Sequence, residues 1–146
     1  MIRWALMAGL VAAGCAGAAR PAEIALGSDA CAHCRMTILS VKTAAQIVRP
    51  GVEPLLFDDL GCLRDHVAAA PLPGDAMVFV ADHRTGNWVD GRSAVFTQTG
   101  EQTPMGSGLL AHDGTASRDN DPAAGHGEPV SGSTVLGPAA TRSPRD

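Results

Sequence analysis

The sequence predicts an α+β fold of short strands and one well-marked helix. Three observations carry that reading. Apolar runs of a few residues alternate with Gly, Pro, Asn and Ser turns, which is the pattern of short strands. Asp58-Asp59 precedes a stretch, residues 60–70, that is closed by Pro71 and Pro73, the marks of a capped helix. Hydrophobic residues make up 45% of 146, yet only 3% are aromatic and none is tyrosine, so the core is modest and fits one domain or two very small ones.

Taken in order, residues 36–39 and 44–48 are apolar runs separated by Ser40-Val41-Lys42-Thr43, and predict two strands joined by a turn. Arg49-Pro50-Gly51 breaks the chain, and residues 55–57 predict a third strand. The helix follows, and Asp58-Asp59 reads as its N-cap rather than as a paired-carboxylate site. Residues 76–81, around Met77-Val78-Phe79-Val80, are the clearest strand. Arg84-Thr85-Gly86-Asn87 turns into Trp88-Val89-Asp90, and residues 93–97 are a further extended run. The glycine-bearing segment 103–108 leads into Leu109-Leu110-Ala111-His112. From residue 113 onward Asp, Pro, Gly and Ser dominate and apolar periodicity is lost, so this stretch reads as poorly ordered and residues 137–146 as a disordered tail.

The first residues predict export. Arg3 supplies a positive start, residues 4–13 an apolar run about half the ~20 residues of a membrane-spanning helix, and small residues lead to Cys15. Ala12-Ala13-Gly14-Cys15 resembles a bacterial lipoprotein cleavage site, with Cys15 lipidated after removal of residues 1–14. An ordinary signal peptide cut near Ala19, leaving a soluble periplasmic protein, is the alternative. Residues 15–28 read as a tether. A net charge of −4, with no basic stripe and no aromatic platform, argues against nucleic-acid binding.

With Cys15 assigned to lipid, Cys31, Cys34 and Cys62 remain, an odd set that leaves a thiol outside any internal disulfide. Such a set suits metal or redox work better than stapling. Cys31-Ala32-His33-Cys34-Arg35-Met36 packs two thiols, an imidazole and a thioether into six residues, and soft sulfur donors select a soft ion such as Cu(I). Arg35 in place of histidine after Cys34 excludes haem attachment. A zinc site lacks a second short-spaced Cys/His pair, and a thioredoxin-like pair lacks the strand before and the helix after it. A plain Cys31–Cys34 disulfide stays open. Met36 falls on the same strand face as Cys34 if the segment is extended. Met105, between Pro104 and Gly106, has no apolar neighbours and is a credible thioether donor. His33, His112 and His126 are candidate nitrogen donors, whereas His66 and His83 have no sulfur neighbour. Cys62, inside the helix, reads as a small buried hydrophobe.

These landmarks together resemble the NosL family of exported copper-chaperone lipoproteins, which serve maturation of nitrous oxide reductase. The matching pieces are the run from Asp29 through Cys31, Cys34 and Met36 to Ile38, then Ala44-Ala45-Gln46-Ile47-Val48, Phe57-Asp58-Asp59-Leu60-Gly61-Cys62-Leu63, Trp88-Val89-Asp90, Ala94 and Thr103-Pro104-Met105-Gly106-Ser107-Gly108. Arg35 stands where the family usually has glycine, and His112 where an aromatic is usual. The resemblance implies two small related α+β units, residues 29–102 and a degenerate or partly disordered 103–136. In the second unit, Ala116-Ser117 would fall in a helix and residues 123–127 in the glycine turn after it, with Pro122 in the way of a long helix. It implies a non-enzymatic Cu(I) carrier, lipid-anchored on the periplasmic side of a bacterial membrane. Its partner would be nitrous oxide reductase or the ABC-transporter-type machinery that assembles it. The implied ligands are Cys34, with Met36 or Met105, and then Cys31; the candidate nitrogen donors beside them are His33 and, less centrally, His112 and His126. Two alternatives are a periplasmic thiol–disulfide oxidoreductase using Cys31 and Cys34, and a structural lipoprotein stapled by their disulfide.

Overall fold

The computed structural model describes residues 19–138. The predicted signal segment 1–14, the predicted lipid site Cys15 and residues 139–146 of the predicted tail lie outside the described residues.

β1 (Ala45–Arg49), β2 (Val52–Phe57), β3 (Met77–Ala81) and β4 (Trp88–Asp90) form an antiparallel sheet in the order β2-β1-β3-β4. Between β2 and β3 runs α1 (Leu60–Ala69). β5 (Val95–Gln98), β6 (Leu109–His112) and β7 (Glu128–Val130) form a second antiparallel sheet in the order β6-β5-β7. The fold is therefore α+β, as the sequence predicts. β1 is central in its sheet, and Ala45, Gln46, Ile47 and Val48 are all buried. Gln46, wholly buried, meets its hydrogen-bonding needs on the main chain of Ala22, with bonds of 2.7 and 3.2 Å. The second half of the predicted tether is thus fastened to the sheet rather than free.

One apolar core serves both sheets. Ala45, Phe57, Leu60, Leu63 and Val80 pack in the same cluster as Phe96, Leu109 and Ala111 from the second sheet, and α3 (Gly132–Leu136) adds Val135 and Leu136. The second sheet begins at Val95, inside the span predicted as the first unit, because β5 pairs on one side with β6 and on the other with β7.

Two expectations are corrected. Residues 36–39 form no strand; a single bridge pairs Ala30 with Thr37. The backbone bonds of this segment go to nearby residues instead, from Ile38 N to Asp29 O (2.9 Å) and from Cys31 N to Met36 O (2.8 Å). Residues 113–136 are ordered, through α2 (Gly114–Asp119), a 3-10 turn at Pro122–Ala124, β7 and α3. Polar side chains supply what apolar periodicity does not. Asp121 caps the 3-10 turn by accepting from Ala123 N, and Ser131 caps α3 by accepting from Thr134 N. Pro122 opens that short turn, where its missing N–H costs nothing.

The start of α1 joins the helix to the loop that carries Met105. Asp59, its N-cap, is extended at φ −144 and ψ 139 and accepts from Gly61 N at 2.6 Å. Gly61 lets the first helical turn touch the 103–108 segment: a Cβ there would lie 2.6 Å from Ser107 Cβ. Gly61→Ala should therefore destabilise the protein by about 1–3 kcal/mol, despite alanine's higher helix propensity. Urea denaturation should show that loss, and Ser107→Gly added to it should restore much of it. Among the described residues, no helix is long and apolar enough to cross a membrane.

Candidate metal centre

The Cys-Ala-His-Cys segment is a tight turn. Arg35 N donates to Cys31 O at 3.0 Å, and Ala32 N docks the turn on β2 by donating to Leu56 O at 2.7 Å. The turn directs the backbone N–H groups of Cys34 and His33 at the Cys31 sulfur, and Asp58 N adds a third donor. Donors of that kind favour a thiolate over a thiol. Arg35 leaves the turn at φ 68, a left-handed conformation that glycine takes without strain.

α1 supplies the third sulfur. Cys62 is in its first turn, three residues past the Asp59 cap, and is 2% exposed. The Sγ atoms of Cys31, Cys34 and Cys62 and a carboxylate oxygen of Asp58 all lie within 4.8 Å of one another. All three cysteines are free thiols, and Cys34 Sγ donates to Asp58 Oδ1 at 3.5 Å. Cys31 and Cys62 are buried, whereas Cys34 is half-buried and forms the solvent side of the cluster.

Burial dominates the electrostatics. It pushes the Cys31 thiol up, although the surrounding backbone N–H groups oppose it. It pushes Cys62 up further, reinforced by the neighbouring Cys31 and Cys34. Cys62 thus stays a thiol despite its place at a helix N-terminus, where the dipole alone would favour ionisation. A cation entering the cluster would displace these protons and remove the penalty.

The two adjacent aspartates have different tasks. Asp58 faces the sulfurs, with its carbonyl oxygen held by Thr43 Oγ1 at 2.9 Å. Asp59 alone caps the helix, and its second carboxylate oxygen accepts from Met105 N at 2.9 Å. Burial on its own would raise the Asp59 pKa, but bonds from Ser107, Thr103, Met105 and Gly61 more than offset this and hold it below the usual carboxylate range.

The structure thus brings Cys31 and Cys34 together, and adds Cys62 and Asp58, whose local sequence points only to a core residue and a helix cap. Met36 and Met105 are 50% and 47% exposed. Each is tied through its backbone to the cluster's frame, Met36 to Cys31 and Met105 to Asp59. His33 is exposed and is not among the clustered donors. His112 is directed elsewhere: it is wholly buried, and its Nε2 lies 3.0 Å from Asp121 Oδ2. His126 is exposed after the 3-10 turn and joins neither donor group. The sequence signal for Cys62 is its position in the first helical turn, which returns a side chain toward whatever precedes the helix.

Compared with family models, curated proteins and solved structures, the chain matches none of them.

Proposed function

We propose that the chain is a carrier of Cu(I), bound by the thiolates of Cys31, Cys34 and Cys62. The observation that carries this reading is the convergence of three free sulfurs within 4.8 Å of one another, two of them buried and one open to solvent. Three soft donors suit a soft monovalent ion, and the hard Asp58 carboxylate suits the role of hydrogen-bond acceptor from Cys34 better than that of copper ligand. The thioethers of Met36 and Met105, both exposed and tied by their backbones to Cys31 and Asp59, would give copper a second set of soft donors through which it could pass to a docked partner by ligand exchange.

The resemblance to the NosL family extends the proposal to purpose. The copper would go to nitrous oxide reductase or its assembly machinery, from a lipid anchor at Cys15 on the periplasmic side of the membrane. The left-handed Arg35 is compatible with that resemblance, since glycine, the family's usual residue there, fits the same backbone. A thiol–disulfide oxidoreductase needs an attacking thiolate of lowered pKa, and burial moves Cys31 and Cys62 the other way.

Anaerobic titration of the reduced chain with Cu(I), against a competing chelator, tests the proposal. The wild type should take up one tight equivalent, Cys34→Ser should lose it, and Met105→Leu should weaken it by about 10-fold. Absence of copper uptake by the wild type, together with turnover of disulfide substrates, would replace the carrier with the oxidoreductase.

A further inference from the structure

A second group of donors lies apart from the cysteines and shares no residue with them. His83 follows β3 of the first sheet, His112 ends β6 of the second, and Asp121 precedes the 3-10 turn. We infer that His83, His112 and Asp121 form a site for a borderline divalent cation of the Zn²⁺ class, clamping the two sheets together.

The geometry carries the inference. His83 Nδ1 and His112 Nε2 converge on a single oxygen, Asp121 Oδ2, at 2.7 and 3.0 Å. The other oxygen is fixed by Ala123 N at 3.0 Å, so the carboxylate is already oriented by an outer donor, as metal-binding carboxylates are. His83 is held in place by its own backbone N–H, which donates to Ala111 O at 2.8 Å. His112 is wholly buried, yet its Nδ1 has no hydrogen-bond partner. A buried imidazole with an idle nitrogen is costly where an apolar ring would serve.

Two imidazoles and a carboxylate are the donor set of borderline first-row ions, not of Ca²⁺ or Mg²⁺, which take oxygen. Ligand atoms around a tetrahedral ion with bonds of 2.0–2.1 Å are about 3.4 Å apart. The two nitrogen–oxygen distances, 2.7 and 3.0 Å, therefore need to open by only about 0.4–0.7 Å. His83, partly exposed, faces the side from which solvent completes the shell.

Co²⁺ added to the reduced chain separates the two clusters, because thiolate ligation gives an intense sulfur-to-metal charge-transfer band and a nitrogen–oxygen site does not. The wild type should bind one equivalent without that band, in addition to any thiolate-bound ion. His112→Phe and Asp121→Asn should each lose the band-free equivalent and keep the thiolate behaviour of the wild type. Should either variant fail to fold, the imidazole ¹⁵N spectrum of the wild type decides alone: Zn²⁺ should shift the His83 and His112 nitrogens together. Absence of a band-free equivalent, its persistence in folded variants, or unshifted nitrogens in the presence of Zn²⁺ would overturn the inference.

Discussion

Cys62→Ser is expected to weaken Cu(I) binding by more than about 100-fold, exceeding the usual 10–100-fold cost of disturbing an outer-shell partner. The reason is positional. Cys62 reaches the Cys31 and Cys34 sulfurs from the first turn of α1, and its burial gives a replacement hydroxyl no way to be substituted by another soft donor. Competition titration of the reduced variant reads the change, with Cys62→Ala alongside it to separate loss of the ligand from burial of a hydroxyl. Circular dichroism of the metal-free variants checks that α1 persists. Affinities of both variants within three-fold of the wild type would return Cys62 to the role of a small core residue.

The second large effect is structural. Asp59→Ala should destabilise the protein by about 3 kcal/mol, combining a lost N-cap with buried N–H groups left unpaired. Asp59 is wholly buried and joins α1 to the 103–108 segment through Gly61 N and Met105 N. The pH dependence has a definite sign. The folded-state pKa lies below the unfolded value of 3.8, so the stabilisation is fully present above pH 3.8 and is lost as pH falls through the folded value. Urea unfolding across acidic pH should show this loss in the wild type and a shallower one in Asp59→Ala. Because Met105 is anchored on Asp59, the variant should also lose part of its copper affinity.

Local pattern made much of the fold legible. The apolar run at residues 76–81 is β3, the acidic pair before residue 60 marks the start of α1, and the two prolines after residue 70 mark its end. Residues 36–39 misled because four consecutive residues look strand-like, while their backbone partners are Gly27, Asp29 and Cys31 in the irregular segment just upstream. Residues 113–136 misled for the opposite reason: short capped turns hold them, and Val135 with Leu136 suffices to seat α3 in the core. Cys31 and Cys34 announce themselves by spacing. Cys62 does not, because its approach depends on how α1 returns over the turn. His83, His112 and Asp121 are joined only by the meeting of two sheets, and no local signal links positions that far apart.

The most direct test of the copper proposal is X-ray absorption at the copper edge on the Cu(I)-loaded, reduced chain. Ligation by Cys31, Cys34 and Cys62 predicts a first shell of sulfur alone, and a lower sulfur count in Cys62→Ser. A first shell containing nitrogen or oxygen, or one unchanged by Cys62→Ser, would contradict it.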